Sequence, residues 1–433
     1  MGEGVLTSLL GDAGLSVGDD GALVMGQVPL TVIAGEVGSP TFVYNAAVIR
    51  DRFRRLERAF ADLPHRVCYA VKANANLAVL KLLADLGAGA DIVSGGELLR
   101  ALAAGFAPAH IVFSGVGKTD EELQAAITVG VGHINVESVA ELRRLAVLAA
   151  LQGASVSIGV RINPDVTADT HPYISTGAGG VKFGVAIDQL PDVFAVLEES
   201  PALSLDALAM HLGSQLMEPT PWTTALDRLL DVLAEARRRG HTPATLDIGG
   251  GIGIRYRDEA PMTPEEWIDA LRDRLAASGC LIQIEPGRFV VGPAGVMLTR
   301  IVHRKRSGGR EIAVVDAGMN DLLRPALYKA WHEVVAVEAP HAETRTTDVV
   351  GPVCETGDFI GLGREVPAVP AGALLAVLGA GAYAFVMSSN YNARARGAEV
   401  LVDDDRWAVI RPRERLTDLF ASEMPDPFAS DVP

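Results

Sequence analysis

Four short segments carry residues whose types and order could do chemistry: CYAVKANAN around Lys72, LDIGGGIG at 246–253, EPGR at 285–288 and GPVCETGD at 351–358. Lys72 closes an apolar run. A lysine stem leaving a buried strand is desolvated, which lowers the pKa of the amine and makes it a nucleophile toward carbonyl carbon. The glycines at 249–251 let backbone N–H groups approach an anion closely. The G-x-G-x-x-G spacing of a dinucleotide fingerprint is not met there. Taken singly each segment also has an ordinary explanation: a surface lysine, a tight turn, a structural salt bridge.

EPGR supplies an acid, a rigid turn and a base in four residues. A carboxylate facing a pyridine nitrogen keeps that nitrogen protonated and the ring electron-poor. The neighbouring arginine suits bidentate capture of a carboxylate. His211 could stack on a ring, although a lone histidine at a strand end is more often a satisfied core residue. Three further clusters lie beyond residue 315. VDAGMNDLLRPALYKAWH places Arg324 and Tyr328 four apart, hence on one face if helical. GPVCETGD joins the thiol of Cys354 to the acid of Glu355, and GAYAFVMSSNYN puts Tyr383 after a glycine turn.

The elements that must position these groups follow an alternating pattern. Between about 46 and 290, eight short apolar runs are separated by longer Leu/Ala-rich stretches of helical spacing. The runs are 67–71, 89–93, 110–115, 133–137, 156–162, 205–211, 245–249 and 281–285. Clear helical stretches cover 77–86, 95–104, 138–152 and 221–239, and another at 49–63 precedes the first run. Parallel strands need helical crossovers, so eight repeats predict a (β/α)8 barrel, with a doubly wound sheet as the structural rival. Barrel enzymes place catalytic groups where strands end. That rule collects Lys72, Asp91, His211, Gly249–Gly251 and Glu285-Pro286-Gly287-Arg288 at one face. The loop after the fifth strand (163–184) is long enough to predict a lid or a partner-contacting segment.

After residue 295 the helical rhythm gives way to strand-like runs, predicting an all-β C-terminal domain of barrel or sandwich type over 295–433. Residues 1–45 also read as strands (ALVMGQV, TVIAGEV, TFVYN) packing with that domain, leaving the barrel at 46–294. The uncharged stretch between Glu365 and Arg394 is interrupted by Pro367, Pro370 and several glycines. It reads as two buried strands joined by a glycine turn rather than a membrane span.

A net charge of -16 leaves no basic face for a polyanion, which argues against nucleic acid as a partner. Three scattered cysteines (Cys68, Cys280, Cys354) form neither a disulfide framework nor a metal-binding pattern. No metal is expected. With no signal-peptide pattern at the N-terminus, the expected location is the cytoplasm.

In order and spacing, YAVKAN, THPYISTG…KFG, HLGSQ, GGG, EPGR, DAGMNDLLRPALY, GPVCETGD and GAYAFVMSSNYN resemble the fold-type III pyridoxal-phosphate decarboxylases, and more narrowly the diaminopimelate decarboxylases. The resemblance runs from about 40 to 420 and implies an N-terminal barrel with a C-terminal β-domain. It implies pyridoxal 5'-phosphate held by Lys72, with His211 on the ring and Glu285 at its nitrogen. Gly249, Gly250, Gly251 and the backbone of the EPGR turn would bind the phosphate, with Asp91 and Tyr383 near the cofactor. Arg288, Arg324 and Tyr328 would grip a distal carboxylate of the substrate, Tyr383 would lie close to it, and Glu355 would take an amine. Cys354 would be the proton donor, reaching the site from a second subunit of a homodimer.

The implied reaction is decarboxylation of meso-2,6-diaminopimelate to L-lysine, the last step of lysine biosynthesis. Ornithine and arginine decarboxylases share the lysine, the glycines and EPGR, but their substrates lack a distal carboxylate, so the RPALY segment discriminates. A carboxynorspermidine decarboxylase, a catalytically silent regulatory homologue and a Schiff-base aldolase are the competing readings. Thr356 stands where a serine is common in the family, and GAGGV precedes Lys182.

Overall fold

The computed structural model describes residues 3–166 and 176–425. They form two units: one of 46–294 with 381–386, the other of 1–45, 295–380 and 387–433.

The first unit is a closed barrel of eight parallel strands: His65–Ala70, Gly89–Ile92, Ile111–Phe113, His133–Val136, Val156–Asn163, Leu203–Ala209, Thr245–Asp247 and Leu281–Ile284. Closure is explicit in the register. The first strand pairs with the second (Tyr69 with Ala90) and also with the eighth (His65 with Ile282). The fourth pairs with the fifth (Asn135 with Gly159), where a doubly wound sheet would have two free edges. The strands are bulky and apolar on both faces because one face fills the barrel and the other meets the helices.

Local chemistry fixes where each helix begins and ends. The side chains of Asn76, Ser94, Thr119, Ser138 and Thr263 each accept an N–H from the first turn of the helix they precede. Thr119 and Thr263 complete capping boxes with Glu122 and Glu266. Gly105, Gly130, Gly153 and Gly279 close helices in the left-handed conformation. These caps keep most strand-to-helix connections short, so the strand ends stay fixed. The longest connection follows the fifth strand; its residues 167–175, which include most of THPYISTG, lie outside the described residues.

The second unit is built on one long strand, Gly295–Ser307. It pairs antiparallel with Thr41–Asn45, Arg310–Val315 and Leu374–Val377 in successive parts of its length. A core of Leu9, Leu23, Leu30, Ile33, Val43, Val296, Val335 and Val400 joins the N-terminal residues to this sheet.

Two local expectations are corrected. TVIAGEV lies in a helix, Leu30–Val37, not a strand: Leu30, Ile33 and Ala34 fall at helical spacing and are buried together, which outweighs the β-branched content. Residues 365–394 do not hold two strands joined by a turn. The first is present as Leu374–Val377, but the chain then leaves the sheet, and 381–386 belong to the barrel unit. Among the described residues no helix is long and apolar enough to cross a membrane.

Candidate active site

Lys72 sits in a single helical turn, Val71–Ala73, directly after the first barrel strand. Its Nζ donates to Oδ2 of Asp91 at 2.7 Å. Asp91 stands in the second strand with its side chain wholly buried. The lysine opens into a cavity of about 390 Å3, which is also lined by Ser114, Asn135, Arg161, Thr176, Phe183, His211 and Glu285. The strand-end rule thus places Lys72, His211 and Glu285 on one cavity, with Asp91 behind the lysine.

The amine is not depressed as the sequence predicts. Burial acts to lower it, but the charges of Asp91 and Glu285 outweigh burial and hold the ammonium above its ordinary range. Carboxyl groups outnumber cations here. Asp247, at the end of the seventh strand, accepts Gln283 Nε2 at 2.6 Å and the Gly249 N–H at 2.9 Å. Burial pushes it up to about 6 against its hydrogen bonds to Glu285, Gly249 and Gln283. Glu285 is raised well above the carboxylate range, first by burial and then by the charges of Asp247 and Asp91. Glu97, whose carboxylate accepts the Val93 N–H at 2.8 Å, is pushed up to about 7, chiefly by burial.

Neutral His211 completes the cavity. Its Nδ1 accepts the Gly250 N–H at 3.3 Å and lies 4.0 Å from Glu285 Oε2. Burial holds it well below its usual pKa, helped by the positive charges of Lys72 and Arg161. The ring is therefore uncharged, with Nδ1 as the acceptor.

The glycine turn behaves differently from a simple anion cradle. The Gly249 amide is taken by Asp247 and the Gly250 amide by His211, which leaves the Gly251 N–H without an acceptor among the described residues. Gly250 is required for another reason: a Cβ there would come within 2.1 Å of the Glu285 carbonyl oxygen. The turn thus seats strand seven directly on the EPGR turn.

Arg288 is buried and held from two sides. It donates to Ser214 Oγ at 2.9 Å and Tyr256 Oη at 2.7 Å, and its guanidinium lies 4.8 Å from the ring of Tyr383. Tyr383 is pinned in turn, its N–H donating to the Ala73 carbonyl next to Lys72 at 2.9 Å. Pro286 and Gly287 share this turn, the Pro286 carbonyl accepting the Ala70 N–H.

These groups fit a pyridoxal cofactor. Glu285 Oε1 and Asp91 Oδ1 are buried without a partner. Three buried carboxyl groups face one ammonium, an imbalance that one further positive charge, such as a protonated pyridine nitrogen, would relieve. The lysine amine is the only primary amine lining the cavity among the described residues.

The second unit carries the other predicted residues. Arg324 begins a short helical turn, Arg324–Tyr328, and is buried; its Nη1 meets His332 Nε2 at 2.8 Å. His332 Nδ1 lies 2.8 Å from the Leu378 carbonyl, so Nδ1 carries the proton and Nε2 accepts from the guanidinium. Tyr328 is half-buried on the same turn. Cys354 is exposed, its N–H donating to Asn392 Oδ1 at 2.8 Å. Neighbouring Glu355 bonds the phenol of Tyr391. Asp358 accepts the N–H groups of Met319 and Val353, both at 2.6 Å, binding the DAGMN and GPVCETGD loops into one structure.

Sequence reasoning missed Asp247, Glu97, Ser114, Asn135, Arg161 and Phe183 as part of the cavity and its surroundings. Asp247 left a local signal, as the acid before the glycine run, and Phe183 lies in the KFG of one of the family motifs.

Comparison with known proteins agrees with this geometry. Residues 46–292 match the pyridoxal-binding domain of the pyridoxal-dependent decarboxylases. The chain is 50% identical over 404 residues to a diaminopimelate decarboxylase of Pseudomonas fluorescens, covering 93% of this chain and 97% of that one. The crystal structure of diaminopimelate decarboxylase from Helicobacter pylori complexed with L-lysine superposes with a TM-score of 0.88 at 36% identity, covering 91% of this chain and 99% of that one. The enzyme from M. jannaschii in co-complex with L-lysine gives 0.91 at 33% identity, covering 96% and 99%. With a lysine, a carboxyl cluster and a neutral histidine around one barrel cavity, and with relatives matched over nearly their full length, this chain belongs to the diaminopimelate decarboxylase family of fold-type III pyridoxal-phosphate enzymes.

Proposed function

We propose that this chain decarboxylates meso-2,6-diaminopimelate to L-lysine and carbon dioxide, the last step of lysine biosynthesis, with pyridoxal 5'-phosphate as cofactor. It is a carbon–carbon lyase of the carboxy-lyase type. The observation that carries the reading is the Lys72 amine lining a barrel cavity with Glu285 and His211, its Nζ paired to buried Asp91.

When bound, pyridoxal phosphate supplies an electron sink for the pair left by the departing carboxylate. Lys72 would hold its aldehyde carbon, His211 its face and Glu285 its ring nitrogen. The Gly251 amide and the EPGR backbone would take the phosphate. Asp91 fixes the Lys72 side chain by its ion pair and holds the amine toward the cavity. Glu285, whose carboxyl is pushed up by burial and by the charges of Asp247 and Asp91, would be drawn to its ionised form by a protonated ring nitrogen. Neutral His211 can stack against a cationic ring without repulsion.

Arg324 and Tyr328 bind the distal carboxylate, with Arg288 held by Ser214 and Tyr256 and with Tyr383 beside it. Glu355 takes the distal amine. Cys354 delivers a proton from Sγ to the carbon that has lost its carboxylate. Cys354 and Glu355 of one subunit serve the barrel of its partner, so the working unit is a homodimer in the cytoplasm. The exposure of Cys354 supports this arrangement, because a donor thiol on the surface needs an apposed site to act on.

Purified protein supplied with the cofactor should release lysine and carbon dioxide from meso-diaminopimelate and leave ornithine and arginine unchanged. Borohydride reduction followed by peptide mass spectrometry should place the cofactor on Lys72. Absence of lysine as product would sink the substrate assignment, and a label on another residue would sink the site. Mixing K72A and C354A chains should regain activity that neither has alone if the site is shared between subunits.

A further inference from the structure

Behind one wall of the cavity runs a chain of four buried charged side chains that the reading above does not use: Lys118, Glu141, Glu137 and Arg161. Lys118, 3% exposed, donates from Nζ to the carbonyls of Gly115 at 2.6 Å and Asn135 at 2.8 Å, and pairs with Glu141 Oε1 at 2.9 Å. The other oxygen of Glu141 accepts the Glu137 N–H at 2.8 Å. Glu137, 5% exposed, then gathers three donors. Its Oε1 accepts the Gly115 N–H at 3.0 Å and Arg161 Nη1 at 2.9 Å, and its Oε2 accepts the Gly184 N–H at 2.9 Å.

The three donors come from three separate places. Gly115 follows the third barrel strand, Arg161 lies within the fifth, and Gly184 ends the long loop 163–184. The far side of each connection is the cavity itself, because Gly115, Asn135, Arg161 and Phe183 all line it. The Arg161 guanidinium sits 4.9 Å from the ring of Phe183, the residue before the latched glycine. Gly184 has φ +74°, and a Cβ there would meet the Asn163 backbone nitrogen at 2.8 Å. The loop can therefore approach the fifth strand at this point only through a glycine. Just beyond it, Val185 and Ala186 pair in parallel with Ile162 and Asn163.

Burying four charges is costly, and an apolar cluster would serve stability as well or better. What the charges add is direction, since each has a fixed partner on a different segment. We infer that Glu137 is a positioning residue that latches the end of the 163–184 loop to the third and fifth strands, setting Arg161 and Phe183 on the cavity wall facing Lys72 and His211. Lys118 and Glu141 hold Glu137 in place from behind. The inference rests on the reading of this cavity as the cofactor and substrate site.

The test uses E137Q, R161K and F183L. A glutamine at 137 offers one acceptor oxygen and one NH2, so it must face at least one of its three donors with a donor. In cofactor-free E137Q, hydrogen exchange of peptides covering 176–186 should quicken relative to wild type, with peptides from the eighth strand unchanged. In the holoenzyme, all three variants should fold, keep the cofactor on Lys72 and lose about 10- to 100-fold in kcat/KM, the scale of a displacement of about 1 Å at an active site. F183L removes no buried charge and R161K keeps the charge while losing the planar fork, so these two carry the test if E137Q does not fold. Unchanged exchange at 176–186 in E137Q would overturn the latch. Variants that melt lower but turn over like wild type would overturn the positioning role and leave a purely structural one. A wild-type protein that fails to take up cofactor would defeat the underlying reading instead, while the exchange comparison would still decide the latch.

Discussion

The Nζ of Lys72 lies 2.7 Å from Oδ2 of Asp91, an aspartate with no exposed side-chain surface. Burial alone would favour the neutral amine, yet the neighbouring negative charges keep it protonated, Asp91 first among them. Asp91→Asn preserves shape and removes the charge. Titrating the cofactor absorbance band should then show its transition at a pH lower by about 1 unit or more, the usual effect of a close opposite charge. An unshifted titration would mean that Asp91 does not set the protonation of Lys72.

Glu285→Gln removes the carboxyl group proposed to face the ring nitrogen. Its kcat should fall by roughly 10²- to 10⁴-fold, the range for loss of a positioned proton or charge partner. Mass spectrometry should still find the cofactor on Lys72. A loss of only two- or threefold would remove Glu285 from the chemistry.

Gly250→Ala would drive a methyl group into the Glu285 carbonyl. Overpacking of this kind costs about 1–3 kcal/mol. Because the displaced element is the EPGR turn, cofactor affinity should fall along with the melting temperature. Fluorescence titration with pyridoxal phosphate would read the first and a thermal scan the second. Wild-type affinity in a destabilised variant would separate the glycine turn from the phosphate site.

Glu97 gives a pH dependence with a definite sign. Its folded pKa of about 7 is raised above the ordinary value of 4.5, so the native state holds the proton more tightly than the unfolded chain. The stability it contributes is full below about pH 4.5 and is lost as pH rises through 7. Glu97→Gln keeps an oxygen for the Val93 N–H and cannot ionise. Denaturant midpoints of the cofactor-free proteins should coincide near pH 4.5, with the variant becoming the more stable of the two by pH 8. Parallel curves would show that Glu97 does not titrate in this window.

Arg324→Lys keeps the charge and loses the planar fork that the neutral His332 ring orients. The kcat/KM for meso-diaminopimelate should drop about 10- to 100-fold, the value of a hydrogen bond to a charged group. Cofactor binding should be unaffected. A variant with unchanged kcat/KM would require another group for the distal carboxylate.

The barrel was legible because its signal is local: eight apolar runs, capped helices and a candidate site residue at each of several strand ends. Lys72, His211 and Glu285 could be placed on one face from strand register alone. The cavity's other wall could not. Glu137, Arg161 and Lys118 read in sequence as ordinary charges at the edges of strands and helices. Their burial arises only when strands three, four and five close side by side. Asp247 shows part of the same limit: its bond from the Gly249 N–H is local, but the bond from Gln283 joins it to the neighbouring strand and no spacing in the sequence records it. TVIAGEV failed for a different reason, since β-branched content and helical burial pointed opposite ways and tertiary packing decided between them.

Residues 381–386 return to the barrel after the whole of 295–380 has gone to the other unit, and they deliver Tyr383 against Ala73 and Arg288. During synthesis the eight strands can therefore be complete before the packing around Arg288 and the Lys72 turn is finished. Tyr383 emerges from the ribosome only after most of the second unit has been made. A gene fragment ending at residue 294 would encode a full set of barrel strands but lack the segment that packs on Ala73 and Arg288. Supplying the missing hexapeptide in trans, or grafting it to the fragment by a short linker, would be the route to a minimal barrel with that packing intact.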